Sequence, residues 1–160
     1  MTLEVGARRA TEADLPRLAE LIGLAVEEQR EARGGALFAR REARADLSPA
    51  GIATLLEPGA AAFVGTIDEV AIGLGTAHVD VLRDGGRLAV IDELYVEAGA
   101  RGVGVGEALM DALVEWATAE GCFGIDAAVL PGNRESKNFF ETFGLTARAI
   151  TVHRALGEPG

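Results

Sequence analysis

Two groups of residues in this chain of 160 amino acids have the types and spacing to do chemistry. One is the run Arg101-Gly102-Val103-Gly104-Val105-Gly106. Glycine tolerates positive φ and close approach, and amides at a helix start are unpaired donors where the helix dipole is positive. The run therefore predicts a backbone cradle for an anion, with phosphate as the expected guest. The other group is Asp92-Glu93, just upstream. A lysine-like ammonium has a pKa of about 10.4 and must lose a proton before its nitrogen can attack, and a carboxylate can take that proton directly or through water.

Spacing narrows the guest. A dinucleotide fingerprint needs a third glycine at 107 or 109, where this chain has Glu107 and Leu109, and a nucleoside-triphosphate loop ends in a Gly-Lys-Ser/Thr that never appears. What stands is Arg101-x-x-Gly104-x-Gly106, preceded by Ile91-Asp92-Glu93-Leu94-Tyr95-Val96 and followed by Asn133-x-x-Ser136-x-x-Phe139-Phe140-x-x-Phe143-Gly144-Leu145. This ordered set, over roughly residues 88 to 146, resembles the GNAT superfamily of acyl-CoA-dependent N-acyltransferases. Ala7-Arg8-Arg9-Ala10-Thr11-Glu12-Ala13-Asp14-Leu15 is similar to the family's first strand and helix.

The resemblance implies an N-acetyltransferase that moves an acetyl group from acetyl-CoA to a primary amine, a small cationic one, by direct transfer in a ternary complex. It implies that strands 87–96 and 124–130 splay apart and that the pantetheine arm enters the gap, bonding the main chain of Leu94 and Val96 as an added strand would. The amides of Gly102, Val103, Gly104, Val105 and Gly106 would take the pyrophosphate, with charge-assisted bonds from Arg101. Asn133 is expected to cap a helix and to touch the cofactor, and Ser136 to let the cofactor lie against that helix. Arg134 and Lys137 either reach an outer phosphate or form a solvated helix face.

On the acceptor side, Asp92-Glu93 is similar to the acidic pair of the diamine and polyamine acetyltransferase branch, so both carboxylates are expected to bind the amine and Glu93 to act as base. Strand alternation sends neighbouring side chains to opposite faces, so only one of the two is expected to line the cleft unless a bulge intervenes. The other reading of either carboxylate is a structural ion pair with a nearby arginine. Where the family usually has a tyrosine to protonate the leaving thiolate, this chain has Phe140. Tyr95, the only tyrosine, shares a strand face with Glu93 and is either the substitute acid or an aromatic packed in the sheet. The missing acid motivates a second reading, a non-catalytic acyl-CoA binding or sensing module.

Composition agrees. At 49% hydrophobic content, 160 residues are expected to form one domain, residues 1–160, that buries about two-thirds of its unfolded surface. A net charge of −10 argues against a nucleic-acid surface and favours cationic partners. The apolar stretch from Ala60 to Ala77 is broken by Asp68 and Glu69, so no membrane span is expected, and with no signal core at the N-terminus a cytoplasmic protein is expected. One cysteine, Cys122, and two histidines, His78 and His153, are a poor basis for a disulfide or a metal site, and no metal is expected.

The elements that must position these residues follow from periodicity. Leu3, Val5 and Ala7 alternate as an opening strand, and Thr11 is the expected N-cap of a helix carrying Leu15, Leu18, Leu21, Ile22 and Ala25 on one stripe. Residues 28–47 resist assignment, and Ser48-Pro49 starts a short helix that Pro58-Gly59 stops. Strands are expected at 60–67 and 70–82, joined by a tight Asp68-Glu69 turn, and at 87–96. A helix with Val105, Leu109, Leu113 and Trp116 on one face ends at Gly121, and a strand runs from Ile125 to Leu130. Asn133 then opens a helix faced by Phe139, Phe140 and Phe143, and residues 145–156 form a terminal extended piece. The order predicts an α/β (α+β) fold, a mixed and mostly antiparallel sheet with helices on both faces. A homodimer is expected from the edge that a terminal strand would leave open.

Overall fold

The computed structural model describes residues 2–158. Alternating apolar residues build β1 (Val5–Arg9), β2 (Ala60–Ile67), β3 (Val70–Val81), β4 (Arg87–Val96) and β5 (Gly124–Ala127), which lie side by side in that order. The first four are antiparallel neighbours and β5 runs parallel to β4. The β2–β3 hairpin closes on Asp68 and Glu69, both at positive φ (49° and 69°), the backbone that two-residue hairpin turns with the strand twist demand.

Helices cover both faces. On one side, α1 (Leu15–Arg30) and α3 (Pro49–Ala53) pack Leu18, Leu21, Ile22 and Ile52 onto Ala62, Val64 and Leu74 of the sheet. Each large aliphatic side chain so buried contributes about 1.5–3 kcal/mol. On the other side, α4 (Val105–Ala119) and α5 (Arg134–Thr142) pack Met110, Leu113, Trp116 and Phe140 onto Ala61, Ala77, Ala89 and Ile91. Glycines in the sheet let α4 approach closely. A Cβ at Gly65 would lie 2.6 Å from Val105 Cγ1, and one at Gly75 would lie 3.1 Å from Leu113 Cδ1.

The ends of the elements depart from expectation in instructive ways. Thr11 caps a 3-10 turn, Glu12–Asp14, rather than α1 itself, through a capping box in which the Asp14 side chain accepts from the Thr11 amide at 2.8 Å. The opening strand begins at Val5 rather than Leu3. The unassigned 28–47 segment holds the end of α1 and a short helix, α2 (Gly35–Arg41), whose only buried residue is Gly35, so no apolar stripe marks it. β5 stops at Ala127 instead of Leu130 because its ladder with β4 ends at the pair Ile91 and Ala127. The terminal strand does not form. Residues 145–156 pair with no strand, and Ile150, Val152 and Leu156 are 82%, 89% and 91% exposed. Alternation there meets no free ladder, and an ion pair between Arg148 and Asp126 ties the tail to β5.

Candidate active site

Beyond Ile91, β4 continues to Val96 while β5 has ended, so the parallel pair opens and the edge of β4 from Asp92 to Val96 faces the gap. The register of β3 against β4 changes there: Thr76 pairs with Glu93 but Ala77 with Ile91, leaving Asp92 as the extra residue of a bulge. A bulge adds one residue to one strand and resets its alternation. This is the bulge that the alternation argument allowed for, and Asp92 and Glu93 both line one cavity of about 330 Å³, with Glu42, Arg44, Leu55 and His78. A second hollow, about 400 Å³, is larger but sits against β1 and β2 beside Gly6 and Thr66, far along the sheet from the opened pair, and gathers no comparable acid–base cluster.

Inside the cavity the two carboxylates have different partners. Glu93 Oε1 accepts from Arg44 Nη2 at 2.9 Å and from the Thr76 hydroxyl, and Oε2 accepts from Arg44 Nε at 3.2 Å. Thr76 Oγ1 also receives the Glu93 amide at 3.0 Å. The ion pair is largely enclosed, with the Arg44 and Glu93 side chains 21% and 11% exposed. Asp92 Oδ2 lies 2.7 Å from His78 Nδ1, while His78 Nε2 lies 2.9 Å from Asp80 Oδ1. A ring with a carboxylate at each nitrogen satisfies both by donating from each as an imidazolium. Burial opposes that charge, but the hydrogen bond and charge of Asp92, and then Asp80, prevail and hold His78 above its ordinary pKa. Burial, helped by the charge of Glu93, pushes Asp92 above the usual carboxylate range against the pull of His78 and Arg44.

Past the far end of β4 the glycine run leads into α4. Gly104, at φ 103°, is the N-cap of α4, and the amides of Gly104, Val105 and Gly106 donate to no protein acceptor among the described residues. Gly106 faces α5: a Cβ there would stand 3.3 Å from the Phe139 ring. Asn133 caps α5 by accepting the Ser136 amide at 3.1 Å, which brings both residues to the start of the helix that flanks the glycine run. Arg101 is turned toward protein. Its Nε donates to the Val96 carbonyl at 2.8 Å, its Nη2 to Glu28 Oε2 at 2.7 Å, and its guanidinium lies 5.4 Å from the Tyr95 ring centre. Tyr95 does not line the acid cavity; it packs against the α1 side of the core, and burial followed by the nearby Glu28 charge raises its pKa. Phe140, buried among α4 residues, carries no proton to give.

Sequence reasoning missed Arg44, Thr76, His78 and Glu28. Thr76 and His78 lie at two-residue spacing from the core-facing Leu74 and so share its face, a readable signal. Nothing in the local pattern marks Arg44, which lies in a loop after α2 and is 49 positions from the carboxylate it holds.

An opened parallel strand pair, a helix start with unpaired amides beside it and an acid-lined cavity along the same strand together make up the candidate site. A model of the acetyltransferase (GNAT) family matches residues 18–145, and the chain belongs to that family. A search of curated proteins finds no match. Among solved structures, an acetyltransferase of Trypanosoma brucei is similar at 22% identity over 96% of this chain and 100% of its own, with a TM-score of 0.68. An aminoglycoside acetyltransferase from an uncultured soil metagenomic sample has 21% identity, 97% of each chain covered and a TM-score of 0.70. Aminoglycoside N-acetyltransferase AAC(6')-Iy in complex with CoA has 18% identity, 98% of each chain covered and a TM-score of 0.70. At these identities the neighbours establish the fold. No helix among the described residues is long and apolar enough to cross a membrane.

Proposed function

We propose that this protein is an acetyl-CoA-dependent N-acetyltransferase acting on a primary amine, with a small cationic amine as acceptor. The observation that carries the reading is the placement, along one open strand edge, of free backbone amides at one end and an acid-lined cavity at the other. The amides at the start of α4 hold the pyrophosphate, and the exposed main chain of Leu94 and Val96 flanks the pantetheine arm. Arg101 must release Glu28 or the Val96 carbonyl to add its charge to a phosphate. The thioester supplies an activated acetyl group. The chain's contribution is to orient the amine against it, an effect worth several kcal/mol when the reacting atoms are held in line. The carboxylates of Asp92 and Glu93 face the same cavity and favour an ammonium there. Tyr95, off that cavity, is proposed as the proton source for the leaving sulfur through water.

Release of free CoA together with an acetylated product, measured by mass spectrometry with acetyl-CoA offered against polyamines, aminoglycosides, amino acids and basic peptides, tests the reading. Turnover on an amine supports it and the product names the acceptor. The buried Phe140 and the Arg44 clamp on Glu93 favour one alternative, an acyl-CoA binding or sensing module. That reading requires cofactor binding without product, so one acetylated amine ends it. A cytoplasmic homodimer remains part of the proposal, with the exposed tail as its apolar surface; gel filtration at the monomer mass counts against the dimer.

A further inference from the structure

Of the two adjacent carboxylates, one has a free oxygen. Both oxygens of Glu93 already accept bonds from Arg44 and Thr76, which hold the carboxylate against the cavity wall. Asp92 uses Oδ2 toward His78, and no protein donor reaches its Oδ1 among the described residues. The bulge aims this carboxylate into the cavity rather than through the sheet, and its side chain is 29% exposed.

We propose that Asp92, oriented by His78, is the group that takes the proton from the acceptor amine, and that Glu93, clamped by Arg44, is a wall of the same cavity. The assignment rests on the N-acetyltransferase reading above. An N–H bond of the ammonium breaks as an O–H bond forms on Asp92 Oδ1. The electron pair left on nitrogen forms the bond to the acetyl carbon while the carbon–sulfur bond breaks. The sulfur takes a proton from Tyr95 through water and the second N–H proton replaces it on Tyr95, giving amide and thiol, and Asp92 passes its proton to water afterwards. A carboxylate is a better base for this when it is harder to ionise than usual, and burial together with the Glu93 charge acts in that direction on Asp92. His78 and Arg44 act in the other, Asp80 holds the far side of the His78 ring, and Glu42 lines the cavity opposite. His78 is thus a positioning residue.

The test compares steady-state kinetics of Asp92→Asn, Glu93→Gln and His78→Gln across pH, using the amine that the wild-type protein acetylates. Asp92→Asn is expected to lower kcat by about 10²–10⁴ and to remove the acid limb of the kcat/KM profile, with CoA affinity and thermal midpoint kept. Glu93→Gln is expected to act mainly on KM for the amine. His78→Gln removes a charge that favours ionised Asp92, so the acid limb is expected to move to higher pH. A limb that survives in Asp92→Asn but disappears in Glu93→Gln overturns the assignment and makes Glu93 the base. A His78→Gln limb that stays in place, or moves down, overturns the positioning role. If Asp92→Asn does not fold, the direction of the His78→Gln shift alone decides. Wild-type protein that acetylates no amine defeats the N-acetyltransferase reading itself, an outcome distinct from an active Asp92→Asn enzyme, which defeats only this assignment.

Discussion

Arg44 and Asp14 show how differently single ion pairs can act in one protein. The Arg44–Glu93 pair is enclosed, so removing the guanidinium leaves a carboxylate with only the Thr76 hydroxyl as donor and little water. A charged group stranded in this way costs about 1–3 kcal/mol or more. Arg44→Met is expected to lower stability by that amount in urea titration, and the double variant with Glu93→Gln to recover part of it, since removing both partners strands nothing. The Arg8–Asp14 pair is different, because Arg8 is half exposed and its bridge is weakened by solvent. Asp14 also acts as a cap. The Arg8 hydrogen bond leads the causes that hold its pKa down at about 2, followed by opposing burial and then the Thr11 amide. A carboxyl depressed in the folded state stabilises it above the unfolded pKa of about 3.9, and this is lost as pH falls through about 2. Asp14→Asn is expected to be less stable than wild type at pH 7, and the gap between them to close across that window in denaturant titrations. At this scale the sequence singled out Glu93 and Asp92 but not their partners: Arg44 reaches Glu93 from a loop that carries no local signal, whereas His78 reaches Asp92 from the neighbouring strand, on a face that alternation with Leu74 marks.

At the scale of elements, the start of α4 is where the proposed cofactor contacts gather. Gly104 sits at φ 103°, a conformation that costs an L-residue about 1–2 kcal/mol or more. Gly104→Val is expected to lower the thermal midpoint and, by turning the adjacent amides, to lose a charge-assisted bond worth roughly 1.5–3 kcal/mol. In calorimetry this should read as about tenfold or greater weakening of CoA binding. Unchanged affinity would remove the amides from the site. α1, α4 and the three long strands were legible because stripes and alternation survive in any helix or strand with one buried face. α2 was not, because it buries almost nothing, and the terminal strand was misread for the opposite reason: Ile150 and Val152 alternate, yet no strand edge meets them.

For the whole molecule, the net charge of −10 gives a long-range field that draws cations toward the acid cavity. For an acceptor with several positive charges, kcat/KM is therefore expected to fall several-fold as salt rises from about 0.05 to 0.5 M, since the Debye length contracts below about 10 Å over that range. A singly charged amine should respond less. A flat profile for the polycation would mean that local contacts alone select the acceptor. The sequence by itself determined the glycine run, the acidic pair, the mixed sheet and the family, because each is written in residues close along the chain or repeated at a fixed period. Only the tertiary structure decided which carboxylate keeps an oxygen without a protein donor among the described residues. That depends on one extra residue in β4 against β3, and on an arginine 49 positions away, and such long-range register and packing leave no periodic trace in the chain.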